Sequence, residues 1–315
     1  MRALRWDGHR LAVARDVPDP VAGPGEAVVA VRLAGICRTD LEITRGYLDF
    51  RGTPGHEWVG DVVAAADPAL AGARVVGEIN AGCGTCAACR AGLARHCPTR
   101  RVTGIVGADG AFAERLVLPV RNLRRVPDAV PDRVAVFVEP VAAAFEILDQ
   151  LGSVAGARAV VLGDGKLGVL VAQVLLQAGA AVTLAGRHPE KLARAAALGL
   201  AAGDAAPGAD LVIDATGSAG GLAAALELVR PRGTIVLKTT VAGEHRLDLA
   251  RAVIDEVTIV GSRCGRFEPA IDALAAGRVS VAPLVDAVYP LDDAAAAFAR
   301  AAAPGTFKVL IDPRS

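Results

Sequence analysis

Neither sign of charge is in excess in this chain: 34 Lys and Arg balance 34 Asp and Glu over 315 residues. That leaves no electrostatic footprint for nucleic acid or for an anionic membrane surface. Lysine is scarce, occurring only at positions 166, 191, 238 and 308. With the heavy use of alanine, this reads as a bias of composition rather than of function. No run of about 18 uncharged apolar residues occurs, which excludes a membrane-spanning helix. The opening MRALRWDGHRLAVARDVPDP lacks the apolar core of a secretory signal, so the expected location is the cytoplasm. Low-complexity blocks and internal repeats are missing too. With 53% hydrophobic and only 22% charged residues, intrinsic disorder is excluded, and the length suits roughly two domains of about 150 residues. Aromatic residues make up 3%; Tyr47, Phe50, Trp58 and Phe112 suit a core more readily than a substrate pocket.

The chain changes character near Pro127 and Pro131. Before that point, EAVVAVRLAG (26–35), WVGDVVAAA (58–66), RVVGEI (74–79) and AFAERLVLP (111–119) are short β segments bounded by turn residues. They predict an antiparallel barrel or sandwich with long loops. After it, apolar strands alternate with helices: AVVLG (159–163), helix 166–179, AVTLAG (181–186), helix 189–199, LVIDATG (211–217), GTIVLKTT (233–240) and EVTIVGS (256–262). Continuous apolar strands separated by helices predict a parallel sheet covered on both faces. The tail from about 267 holds two short helices and FKVLIDP (307–313), and is expected to return to the first domain.

Between the first of these strands and its helix lies GDGKLG (163–168). Gly163 permits a tight turn, Gly165 lets the backbone approach a pyrophosphate, and Gly168 lets helix and strand pack closely. Lys166 and Leu167 open the helix, whose unpaired N–H groups favour phosphate. The end of the second strand, about 20 residues on, reads the adenosine ribose in such sites. It shows Gly186-Arg187-His188, without the Asp or Glu that would bind a free diol. A small residue followed by arginine suits a 2′-phosphate, so NADP is expected rather than NAD, with no acid nearby to repel the phosphate.

Of six cysteines, Cys83, Cys86, Cys89 and Cys97 fall in one loop, GCGTCAACRAGLARHC. Four thiolates at that spacing suit a closed, tetrahedral structural zinc. The C-x2-C-x2-C run also occurs in ferredoxins, but there the fourth cysteine follows after three residues and ligates a second cluster. Cys264 has no assigned role. Separately, Cys37 in GICRTD, His56-Glu57 in GHE and Glu139 in VEP offer a thiolate, an imidazole and a carboxylate. Together they are a plausible open, three-ligand catalytic zinc, although each alone is equally a buried structural residue.

The order and separation of GICRTD, GHE, the four-cysteine lobe, VEP and GDGKLG resemble the zinc-dependent alcohol dehydrogenases of the medium-chain dehydrogenase/reductase superfamily, sorbitol and threonine dehydrogenase-like branches. The resemblance spans essentially the whole chain. It implies an α/β protein: a GroES-like β-rich catalytic domain over 1–130 with the zinc lobe at 83–97, completed by 268–315, and a doubly wound Rossmann domain over 131–267. It implies a catalytic zinc on Cys37, His56 and Glu139, with Glu57 as an alternative ligand. Asp40 would orient His56, and Thr39 would bond the substrate oxygen. Glu42 stands where the family often has a relay histidine. Thr216 and Arg263 lie in segments that line the nicotinamide side. The implied reaction moves a hydride between a small alcohol or polyol and a nicotinamide cofactor. A homodimer or homotetramer is expected, because EVTIVGS would otherwise leave an open sheet edge. A zinc-free reductase of the quinone oxidoreductase type would lack the ligand trio, and a non-catalytic nucleotide- or zinc-binding protein would also lack Thr39.

Overall fold

A computed structural model describes residues 1–240 and 249–315. The chain divides into two compact units: Met1–Glu139 with Ala270–Ala276 and Val281–Ser315, and Pro140–Pro269 with Gly277–Ser280.

The first unit is organised by the strand Glu26–Gly35. Its Ala27, Val29, Val31 and Ala34 face the core, and it pairs antiparallel with Glu57–Ala65, Arg115–Pro119 and the C-terminal strand Lys308–Asp312. Arg74–Gly77 and Leu123–Arg125 extend the sheet on one side, and Val285–Pro290 on the other. The tail thus returns to the first unit: Leu310 lies opposite Gly35 and Ile311 opposite Ala34. Val29, Val62, Val75, Phe112, Leu118 and Val309 fill the core, with Phe112 and Phe298 edge to face at 5.7 Å. Trp58 and Phe112 belong to this core and Phe50 to a smaller cluster. Gly60 has no room for a side chain, because a Cβ there would lie 2.4 Å from the Ala30 carbonyl oxygen.

The second unit is a six-stranded, wholly parallel sheet. Its spatial order is Ala201–Ala202, Ala181–Ala185, Arg158–Leu162, Ala209–Asp214, Val229–Leu237, Thr258–Gly261. The central strand Arg158–Leu162 is buried along its last four residues, which is why its sequence is an unbroken apolar run rather than an alternation. The chain starts at this strand and builds outward in both directions, creating a switch point beside Ala209–Asp214, where open α/β sheets bind ligands. Thr258–Gly261 is the edge strand and is largely exposed. Among the described residues, no helix is long and apolar enough to cross a membrane.

Candidate functional site

Cys37 ends the loop after the hub strand and precedes the short helix Arg38–Ile43, while His56 and Glu57 enter the neighbouring strand Glu57–Ala65. Antiparallel pairing of those strands, with Gly35 opposite Glu57, brings the two loop ends together. One ligand atom each from Cys37, His56 and Glu57 falls within 4.8 Å of the others. Glu139, at the start of the helix Val138–Leu151, does not join that group.

Behind the group sits Asp40, fully buried. Its carboxylate accepts the Cys37 N–H at 2.7 Å and the Gly55 N–H at 3.2 Å, so it ties both ligand-bearing loops together. His56 Nδ1 lies 3.3 Å from Asp40 Oδ1, close enough for charge pairing, yet without the alignment of a hydrogen bond. A pairing through Nδ1 leaves Nε2 to serve as a ligand. Burial pushes the His56 pKa down, but the Asp40 carboxylate and then the Cys37 sulfur outweigh it and hold the pKa well above its usual value. A metal ion binding there competes with that proton. The mixed S, N and O donors of Cys37, His56 and Glu57 fit a divalent cation of zinc's preferences.

The second carboxylate is less free. Glu57 is fully buried and paired with Lys308, also fully buried. The Lys308 ammonium further donates to the Ile36 carbonyl at 3.0 Å and lies 5.7 Å from the centre of the Phe137 ring. Lys308 belongs to no motif, and its one mark in the sequence is that it is the lone charge in the otherwise apolar FKVLI. Thr39 is half-buried at the head of the short helix. Glu42 faces outward, accepting from Arg38 at 2.8 Å and Arg45 at 2.9 Å.

In the lobe, the sulfurs of Cys83, Cys86, Cys89 and Cys97 all lie within 4.8 Å of one another. Four sulfurs at about 2.3 Å from one tetrahedral ion would stand about 3.8 Å apart, so the cluster fits zinc with little adjustment. Backbone N–H groups already point at the sulfurs: Cys86 to Cys83 at 3.3 Å, Cys83 to Cys97 at 3.3 Å and Cys89 to Cys86 at 3.5 Å. Hydrogen bonds from Thr85 and Cys86 lower the Cys83 pKa to about 5. The Gly84 N–H also pulls Cys89 down, but burial and the neighbouring sulfurs together push it up to about 11. Gly82 leaves space for the turn, since a Cβ there would lie 2.8 Å from the Cys89 sulfur.

In the second unit, Gly163 has a φ of +115°, and a Cβ would lie 2.4 Å from the Ala215 carbonyl oxygen. At Gly168 a Cβ would lie 1.8 Å from the Gly163 carbonyl oxygen, whereas at Gly165 it would meet nothing within 4 Å. The turn is therefore tight at both ends and open in the middle, above the N-terminus of the helix Lys166–Gln177, a cradle that fits a pyrophosphate. At the end of the neighbouring strand, Thr216 bonds Asp214 Oδ1 through its N–H and its hydroxyl, at 3.0 and 2.8 Å. Lys238 fixes the Arg263 segment, donating to the Arg263 carbonyl at 2.7 Å and the Ser262 hydroxyl at 3.1 Å.

One expectation is overturned here. The strand end at Gly186-Arg187 does have an acid beside it, supplied by Asp164 of the glycine-rich turn itself. Asp164 Oδ2 accepts the Arg187 N–H at 2.6 Å and the His188 N–H at 2.8 Å, and Oδ1 lies 2.8 Å from His188 Nδ1. The space left by Gly186 is filled by this carboxylate, which adjacent strands bring across from 22 residues earlier in the chain.

Comparison with known proteins agrees with this arrangement. Residues 23–128 match the alcohol dehydrogenase GroES-like domain and residues 167–276 the zinc-binding dehydrogenase family. D-altritol 5-dehydrogenase of Agrobacterium fabrum is 34% identical over 83% of this chain and 84% of its own. A zinc-binding dehydrogenase of Sinorhizobium meliloti 1021, solved bound to NADP, superimposes with a TM-score of 0.90 at 29% identity, covering 99% of both chains. The rspB alcohol dehydrogenase of Escherichia coli CFT073, solved with NADH, does so with a TM-score of 0.91 at 28% identity, again over 99% of both. The chain therefore belongs to the zinc-binding alcohol dehydrogenases of the medium-chain dehydrogenase/reductase superfamily, enzymes that move a hydride between an alcohol or polyol and a nicotinamide cofactor.

Proposed function

We propose that this chain interconverts a small primary or secondary alcohol or polyol and its aldehyde or ketone, using NADP in preference to NAD, with one catalytic and one structural zinc. The observation that carries this reading is the convergence of Cys37, His56 and Glu57 within 4.8 Å, braced by buried Asp40. Cys37, His56 and Glu139 are the proposed catalytic ligands, with Glu57 as an alternate; its pairing with Lys308 supports that lesser role. Cys83, Cys86, Cys89 and Cys97 hold the structural ion. A catalytic zinc supplies Lewis acidity that lowers the pKa of a substrate hydroxyl.

The chain's own residues do the rest. Asp40 orients the His56 ring through Nδ1. Thr39, two residues past Cys37, accepts the substrate hydroxyl's hydrogen bond and passes a proton on, with Glu42 the candidate for delivering it to solvent. A bound nicotinamide would supply the hydride acceptor, so that the substrate would lose two electrons from its carbinol carbon while its hydroxyl proton left separately. Gly163, Gly165, Lys166, Leu167 and Gly168 would hold the pyrophosphate, Gly186 and Arg187 the adenosine ribose, and the Thr216 and Arg263 segments the nicotinamide side. The exposed edge Thr258–Gly261 supports a homodimer or homotetramer.

For the cofactor, the exposed Arg187 guanidinium is the proposed 2′-phosphate partner. A charge-assisted hydrogen bond contributes roughly 1.5–3 kcal/mol, and exposure reduces it, so a preference of about ten- to a hundredfold is expected. Steady-state kinetics on a panel of alcohols and polyols with both cofactors tests this. NADP should have the higher kcat/KM, and Arg187→Ala should erase most of the difference by weakening NADP alone. A higher kcat/KM with NAD would overturn the assignment.

A further inference from the structure

The end of the second strand carries no acid of its own, and Asp164 of the glycine-rich turn lies beside it instead. Asp164 is only 5% exposed. Its carboxylate is engaged by the N–H groups of Arg187 and His188 at 2.6 and 2.8 Å and by the His188 ring at 2.8 Å. The two elements interlock sterically as well. A Cβ at residue 186 would lie 2.2 Å from Asp164 Oδ2 and 2.4 Å from Asp164 Cβ, so glycine at 186 is the condition for the clamp.

Three N–H donors occupy both carboxylate oxygens, which leaves little acceptor capacity for a ribose diol. The His188 ring lies against the same carboxylate, so backbone and side chain of this turn both close on Asp164. With its backbone N–H groups turned inward to Asp164, the 187–188 turn is held in one conformation, and the Arg187 side chain remains exposed. Burial alone would raise the Asp164 pKa, but the His188 ring and the two backbone donors hold it below the ordinary 3.8. The acid therefore stays ionised and the clamp closed in the neutral range.

We propose that Asp164 is a specificity-determining positioning residue: by clamping Arg187 and His188 it presents them to the adenosine ribose, favouring a cofactor that carries a 2′-phosphate. This rests on the NADP reading above and assigns its basis to a residue outside the strand end.

Binding of adenosine 2′,5′-bisphosphate and of adenosine 5′-monophosphate to the full chain, measured by calorimetry, separates the two. The wild type should prefer the bisphosphate. Asp164→Asn breaks the clamp by removing charge, and Gly186→Ala breaks it by displacing the acid. Each should lower the preference for the bisphosphate over the monophosphate by about tenfold, equivalent to about 1.4 kcal/mol. A wild type without preference would overturn the NADP reading and this proposal together. A preferring wild type whose variants keep the preference would overturn the proposal alone. So would tighter bisphosphate binding by Asp164→Asn, which would make the acid a repulsive element. Loss of monophosphate binding by both variants would make Asp164 a residue of the fold only, and would also overturn it.

Discussion

Lysine 308 offers the sharpest quantitative test of how the candidate active site is held together. Its ammonium and the Glu57 carboxylate are both fully buried and paired, and the same ammonium donates to the Ile36 carbonyl at 3.0 Å, one residue before Cys37. Gly35 makes room for them: a Cβ there would lie 3.0 Å from Lys308 Nζ and 3.2 Å from Glu57 Oε2. Replacing Lys308 by Met keeps the volume and the apolar stem but leaves a buried carboxylate without its cation. Removing one partner of a buried pair costs about 3–5 kcal/mol. At about 2–4 °C per kcal/mol for a domain of 150–250 residues, the melting midpoint should fall by about 6–20 °C. The double variant Lys308→Met/Glu57→Gln should recover at least half of the loss, because no charge is then stranded. It should not recover everything, since the Ile36 carbonyl still lacks its donor at a cost of about 1 kcal/mol. Calorimetric melting of the two single variants and the double, at matched metal content, completes the cycle. A Lys308→Met midpoint within about 2 °C of wild type, less than 1 kcal/mol, would refute the pairing as a stabilising element.

Two further outcomes follow from the metal lobe and the sheet edge. A structural zinc contributes folding free energy directly, so a chelator, or Cys89→Ala, should lower the melting midpoint, and an unchanged midpoint would mean the four sulfurs do not hold a stabilising ion. Val253, Ile254 and Ile259 are 74%, 78% and 38% exposed at and before the edge strand, so light scattering at micromolar concentration should give the mass of a dimer or tetramer. Ile259→Arg should shift the mass toward the monomer, and a monomeric wild type would contradict the edge as an interface.

Where burial imposes a pattern, the sequence was sufficient. AVVLG and LVIDATG are apolar because both faces of the parallel sheet are covered there, and AVTLAG, buried only at alternate residues, is a strand as well. The return of FKVLIDP to the first unit followed from the need to cover its open edge. What escaped has physical reasons. Ala3–Trp6 and Leu11–Ala14 form a hairpin too short for periodicity to mark. Val285–Pro290 is half-buried throughout and carries Asp286 and a proline, so it reads as a loop. Pro140 conceals the start of the helix Val138–Leu151, although proline is tolerated in a first turn.

The site divides in the same way. The cysteine spacing announced the lobe because its ligands are local. By contrast, spacing alone does not say which of Glu57 and Glu139 stands nearer Cys37 and His56; strand register decides that, and it brings Glu57 into the group. Lys308 meets Glu57 across 251 positions, and Asp164 meets Arg187 across 23. Neither contact has a periodic signature, and each became visible only through a side chain that a strand neighbour places.

Metal content measured together with turnover on His56→Ala tests most directly whether Cys37 and His56 form an open catalytic zinc site distinct from the closed lobe. The purified wild type should hold about two zinc ions per chain, one closed and one open, and the variant should hold about one, with its fold intact and its alcohol-dependent cofactor reduction abolished. Substantial turnover by a His56→Ala protein that has lost its second zinc would contradict the claim.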